Sequence, residues 1–161
     1  MLNVGDKAPG WSGVTGEGKR LSQSDFVGKP LVVFFYPKDD TTVCTKEACG
    51  FRDLAGEIAA LGGSVVGVSN DTEASHQKFT SKHGLTYPLL ADTDGAIAKA
   101  FGVARLGGML GGWIPVRRVT FVIDGEGTIR ATIESELSAD KHTSGALDAL
   151  QKLQKAKGAH A

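Results

Sequence analysis

Buried strands alternating with amphipathic helices predict an α/β chain built on a central mixed β-sheet with helices on both faces. Three observations carry this. Leu31–Tyr36 (LVVFFY) and Ser64–Ser69 (SVVGVS) are apolar runs of the kind that forms strands buried on both sides. Each run is followed by residues at helical spacing. Val119–Ile123 and Thr128–Ile133 alternate in polarity around Asp124-Gly125-Glu126-Gly127, which reads as a hairpin and rules out an all-parallel sheet.

The remaining elements follow in order. Residues 1–29 are punctuated by Gly5, Gly10, Gly13, Gly16, Gly18 and Gly28 and read as a loop with short hairpin strands. After Pro37 stops the first buried strand, a helix is expected from about Thr42 to Leu61, with Phe51, Leu54, Ile58 and Leu61 on its apolar face and Gly62-Gly63 at its end. Asp71 or Thr72 can cap a second helix that runs to about His83 and stops at Gly84. Pro88–Leu90 is expected as a short strand and Asp94–Phe101 as a short helix ending at Gly102. Residues 103–117 show no clear period, and Ala146, Leu147, Leu150 and Leu153 mark a closing amphipathic helix with a basic tail. No repeat or linker divides the chain, so residues 1–161 are read as one domain.

Bulk composition excludes several functions. Lys plus Arg and Asp plus Glu number 18 each, so a nucleic-acid partner lacks its electrostatic support. No apolar stretch approaches the length of a membrane-spanning helix. The start, MLNVGDKAPGW, lacks a basic region followed by an apolar one, and a cytoplasmic location is the expectation. In a reducing compartment, paired cysteines are more often catalytic or metal-binding than structural.

The chain has two cysteines, Cys44 and Cys49. Cys44 stands where the strand ending at Tyr36 gives way, through Pro37 and a polar turn, to a helix. Unpaired backbone N–H groups and the helix dipole at such a position favour a negative charge, here a thiolate. The dipole supplies only about 0.3–1 kcal/mol at exposed sites. A second positive group is therefore expected, and arginine suits the role because it stays charged and offers several donors.

Pro37, Thr41 and Cys44 form a PxxxTxxC pattern, and Thr45-Lys46-Glu47-Ala48-Cys49 with Phe51-Arg52-Asp53 continue it. With Arg118-Val119-Thr120-Phe121-Val122-Ile123-Asp124 further on, the chain resembles the peroxiredoxins, in their bacterioferritin-comigratory or peroxiredoxin Q branch. It departs from the family pattern at Thr42, where many relatives carry a second proline, and at Gly10-Trp11.

The resemblance implies a thioredoxin-like fold and a thiol-dependent peroxidase that needs no cofactor, because sulfur carries the electrons. It implies Cys44 as the thiolate that attacks a hydroperoxide and Arg118 as the group that holds the sulfur and the peroxide oxygens. Arg117 is adjacent, but strand neighbours point to opposite faces, and the family register selects Arg118. Thr41 would offer its hydroxyl and Pro37 would shape the pocket. Cys49 would resolve the sulfenic acid formed on Cys44. Thioredoxin or a glutaredoxin-like donor would reduce the resulting disulfide, and a monomer is expected. In an intact helix, residues five apart have Cα atoms roughly 8.7 Å apart. A disulfide rarely spans more than about 7 Å. The segment around Thr42–Phe51 is therefore expected to unwind on oxidation.

Other readings are weaker. Cys44, Cys49, His76 and His83 could be metal ligands, but the histidines fall on another predicted helix and its end, and the cysteine spacing is at the upper edge for zinc. His142 and His160 read as exposed tail residues. Gly107–Gly112 has phosphate-loop spacing, but Trp113-Ile114 stands where Lys and Ser or Thr are required. A thiol–disulfide oxidoreductase would normally carry Cys-x-x-Cys, absent here. A redox sensor on the same fold would oxidise once and turn over poorly.

Overall fold

The computed structural model describes residues 1–104 and 116–159; the segment around Gly107–Gly112 and Trp113, and His160, lie outside them. Strands β1 (Ser12–Val14) and β2 (Arg20–Ser22) pair as a separate antiparallel hairpin. After them come β3 (Leu31–Phe35), α1 (Thr42–Ala60), β4 (Ser64–Ser69), α2 (Glu73–His83), β5 (Leu89–Ala91) and α3 (Ala96–Phe101). The chain closes with β6 (Val119–Ile123), β7 (Ile129–Glu134) and α4 (Ala139–Ala159). Five strands form one sheet in the order β5-β4-β3-β6-β7, with β3, β4 and β5 parallel and β6 and β7 antiparallel to their neighbours.

The central strand explains why LVVFFY is apolar throughout. Successive side chains point to opposite faces. Leu31, Val33 and Phe35 pack with Ile97, Ala98 and Phe101 of α3, beside Trp11 near the hairpin. Val32, Phe34 and Tyr36 pack on the other face with Cys44, Ala48, Phe51 and Ile58 of α1, Phe79 of α2 and Leu150 of α4. Both faces are therefore covered by helix, as a mixed α/β sheet requires. The glycine within SVVGVS has a steric cause: a Cβ on Gly67 would lie 2.6 Å from Leu89 Cδ2 and 2.8 Å from Phe34 Cζ.

Caps set the helix ends. Gly62, at φ 78°, takes the left-handed position that closes α1 after Ala60. Thr72 is the residue that caps α2, its hydroxyl accepting from the Ser75 N–H at 3.1 Å. Helix α3 begins at Ala96, two residues later than the sequence pattern suggests. The buried Asp92 carboxylate takes the N–H groups of Ile97 and Ala98, both at 2.9 Å, so Asp94 stays outside the helix. Among the described residues no helix is long and apolar enough to cross a membrane.

Register delivers the site. β3 pairs with β6 so that Phe35 faces Val119. Arg118, one residue before Val119, is thereby carried to the end of β3 where the chain turns toward α1.

Candidate active site

Cys44 is the third residue of α1. The first helical bond close to it runs from Thr45 N–H to Thr41 C=O at 2.8 Å, so the N–H groups of Thr42, Val43 and Cys44 precede the helical ladder. Their dipoles converge on the start of the helix, where a thiolate is favoured. The cysteine side chain is buried against Tyr36, Ala48 and Phe51 in the second core cluster.

Arg118 reaches this thiol from the position just before β6. Its Nη1 donates to Cys44 Sγ at 3.1 Å and to Glu47 Oε1 at 3.0 Å. Arg118 is 5% exposed, whereas Arg117 lies half exposed and faces Glu134 at 3.8 Å. The β7–α4 corner braces the arginine: Nε donates to the Glu136 carbonyl, and the Arg118 backbone N–H donates to Glu136 Oε1, each at 3.2 Å. Burial works against the guanidinium charge, but Cys44 and Glu47 beside it more than offset this, so its proton is held more tightly than usual.

Glu47 and His142 are missing from the sequence reading of the site. Glu47 is fully buried, and burial pushes its carboxyl up to about 8 against the pull of Arg118. His142 is also fully buried, which corrects its reading as an exposed tail residue. Its Nδ1 lies 2.8 Å from the Thr120 hydroxyl and its Nε2 lies 2.8 Å from the Ser135 carbonyl. Burial lowers its proton affinity, so the ring is neutral, with Nε2–H donating to Ser135 and Nδ1 accepting from Thr120. The 3.4 Å approach of Nδ1 to Glu47 Oε2 is therefore a contact and not an ion pair, and among the described residues that oxygen has no hydrogen-bond partner. Helical spacing carried a signal for both residues. Glu47 shares the stripe of Cys44, Ala48 and Phe51, and His142 stands four residues before Ala146 and eight before Leu150.

Pro37 and Thr41 lie on the chain that leads into α1, and Cys49 lies on α1 itself. Thr41 is the N-cap residue of α1, and its exposed hydroxyl donates to the Lys38 carbonyl at 2.9 Å. Pro37 is partly buried at the end of β3. Cys49 is partly buried on the same unbroken helix as Cys44, close enough to Arg52 and Tyr87 to influence their charges, and both cysteines are free. His76 and His83 lie on α2, where His76 pairs with Asp39 and His83 approaches Asp40.

A cysteine at a helix start, covered by an arginine from a neighbouring antiparallel strand on a thioredoxin-like sheet, defines a thiol-based oxidoreductase. The AhpC/TSA family matches residues 4–132. The chain is 40% identical over 153 residues to chloroplastic peroxiredoxin Q of Populus jackii, which covers 94% of this chain and 70% of that protein. The crystal structure of peroxidoxin BcpB from Mycobacterium tuberculosis matches with a TM-score of 0.89 at 40% identity, over 95% of this chain and 99% of that one. A Xanthomonas campestris bacterioferritin comigratory protein, whose alkyl peroxide reduction activity has been studied structurally, matches with a TM-score of 0.81 at 30% identity, over 89% and 92% of the two chains. The chain belongs to the AhpC/TSA family, in its bacterioferritin-comigratory or peroxiredoxin Q branch, and is a thiol peroxidase.

Proposed function

We propose that the chain reduces hydrogen peroxide and small organic hydroperoxides through Cys44. The observation that carries this is the 3.1 Å contact of Arg118 Nη1 with Cys44 Sγ at the start of α1. The Cys44 thiolate attacks the terminal peroxide oxygen. The S–O bond forms as the O–O bond breaks, and the alkoxide or hydroxide leaves with a proton as alcohol or water. Arg118 and the N–H groups opening α1 stabilise the charge that develops on the oxygens. Pro37 walls the pocket, and Thr41 lends its hydroxyl once it turns from the Lys38 carbonyl.

Cys44 is then a sulfenic acid. The Cys49 thiol displaces its hydroxyl as water, giving an intrasubunit Cys44–Cys49 disulfide. α1 is continuous across both residues, and the helical separation of roughly 8.7 Å exceeds disulfide reach. The first turns of α1 therefore unwind in this step. An external dithiol, thioredoxin or a glutaredoxin-like protein, returns two electrons and two protons to regenerate both thiols. A monomer working in the cytoplasm completes the reading.

Stopped-flow oxidation of wild type, Cys44→Ser and Cys49→Ser tests it. Cys44→Ser is expected not to react, and Cys49→Ser is expected to stop after one equivalent of sulfenate unless a small thiol is added. Peroxide consumption by Cys44→Ser at the wild-type rate would overturn the proposal. Insulin-type disulfide reduction without peroxide turnover would favour a thiol–disulfide oxidoreductase.

A further inference from the structure

We propose that His76, acting through Asp39, is a positioning residue for the peroxide pocket: the buried pair latches the loop from Pro37 to Thr41 onto α2 and the sheet. This rests on the functional reading above, because that loop carries Pro37 and Thr41 and leads directly into Cys44.

The loop has few means of holding its own shape. It contains no regular structure, and Asp40 adopts φ 60°, a left-handed conformation uncommon outside glycine. The bonds from Asp40 to Lys82, both at 3.0 Å, lie at the exposed surface where water competes. Firm anchorage comes from the buried residue beside it. Asp39 accepts from the Tyr36 hydroxyl at 2.6 Å, from the Ser75 hydroxyl at 2.8 Å and faces His76 Nδ1 at 2.7 Å. Its backbone N–H donates to Asp71 Oδ2 at 2.8 Å, and the same oxygen takes the Ser69 hydroxyl at 2.6 Å.

The hydrogen bonds leave His76 and Asp39 committed to each other. The Tyr36 proton is committed to Asp39 and the Ser69 proton to Asp71, so neither hydroxyl has a hydrogen for His76. Each ring nitrogen of His76 instead faces an acceptor, Asp39 Oδ2 on one side and the Leu90 carbonyl at 2.8 Å on the other. Nε2 therefore donates to the Leu90 carbonyl, and a single proton joins Nδ1 to Asp39 Oδ2. The His76 side chain is 0% exposed and that of Asp39 is 4% exposed. Removing one partner leaves a buried polar atom of the other without its hydrogen bond.

The latch also reaches far across the fold. Through His76 it ties the loop after β3 to α2 and β5, and through Asp71 it ties it to the end of β4. The β1–β2 hairpin closes over it: a Cβ on Gly16 would lie 3.0 Å from Gln77 N and 3.2 Å from His76 Cβ. Asp39, Asp71 and His76 present ligand atoms within 4.8 Å of one another, a spacing a cation could use. Internal donors already engage those atoms, which favours a latch over a metal centre.

The test compares two reactions of Cys44 in His76→Gln, Asp39→Asn and the double variant of the full chain. Oxidation by hydrogen peroxide needs the shaped pocket, whereas alkylation by iodoacetamide, followed at Cys44 by mass spectrometry, needs only the thiolate. The peroxide rate constant is expected to fall at least tenfold while alkylation stays within twofold, with the double variant no slower than the worse single. Unchanged peroxide rates in folded variants, or parallel loss of both reactions, would overturn the latch. If these variants do not fold, Ser75→Ala removes one bond to Asp39 and is expected to slow peroxide oxidation two- to fivefold; no change overturns the proposal. Amide exchange at Asp39 reads the latch without peroxide and is expected to quicken in His76→Gln. Quickened exchange in a protein whose peroxide consumption is independent of Cys44 would therefore sink the functional reading but not the latch, and unchanged exchange would sink the latch.

Discussion

Arg118 and Glu47 meet at a single nitrogen: the Nη1 that lies 3.1 Å from Cys44 Sγ also lies 3.0 Å from Glu47 Oε1. Two acidic groups thus share one guanidinium. Burial pushes the Glu47 carboxyl up to about 8, so at neutral pH it is mostly uncharged. The carboxyl then competes less with the sulfur for the charge of Arg118, while it still accepts from Nη1 and orients the arginine.

Arg118→Gln removes that charge while keeping a hydrogen-bonding side chain. The rate constant for peroxide oxidation of Cys44 is expected to drop about 10²- to 10³-fold, the cost of losing a preorganised donor at a developing anion. Arg118→Lys keeps the charge but loses the planar fork, and is expected to fall between. Stopped-flow measurement of both variants checks the order.

Glu47 links stability to pH. Its folded carboxyl sits near 8, above the ordinary 4.5, so the native state binds this proton more tightly than the unfolded chain. The stability this confers is complete below about pH 4.5 and is lost as pH rises toward 8. Over that window the reduced wild type is expected to lose more melting temperature than reduced Glu47→Gln. Calorimetry at matched ionic strength checks this, and identical slopes would argue against a buried neutral Glu47.

Tyr87 restrains the segment proposed to unwind. Its hydroxyl, kept protonated by burial, donates to the Ala48 carbonyl at 2.6 Å. Tyr87→Phe is expected to cost about 0.5–1.5 kcal/mol of stability in the reduced protein, the ordinary net worth of one hydrogen bond. It is also expected to speed disulfide formation after sulfenate has formed, because the folded α1 loses support that the unwound state does not use. A rapid-mixing trace of the second oxidation phase separates the two effects.

Hydrogen exchange tests the proposed unwinding. Amides from Thr42 to Phe51 are expected to be protected in the reduced protein and to exchange rapidly in the disulfide form. Those of β3 and β6, in the middle of the sheet, are expected to change little. Equal protection of the helix in both forms would mean that the disulfide closes without melting it.

Most of the fold is legible along the chain because the signals are local. The unbroken apolar run at β3, the helical stripe of Phe51, Leu54 and Ile58, and Gly62 after α1 each depend on residues a few positions apart. The start of α3 is less legible, because two carboxylates share its first N–H groups: Asp94 takes that of Ala96, and Asp92, from beyond the end of β5, takes those of Ile97 and Ala98.

The sequence by itself determined where the two sulfurs proposed to carry the chemistry stand: Cys44 at the start of a helix, Cys49 on the same helix, and a spacing that an intact helix cannot bridge. Only the tertiary structure decided what surrounds that sulfur. Arg118 comes to it from 74 residues away through strand register, and His142 and His76 are drawn inside by partners in other elements. Helical spacing can place such a side chain on a buried face, but the partner that satisfies it leaves no periodic trace, since that free energy depends on contacts between segments distant in the chain.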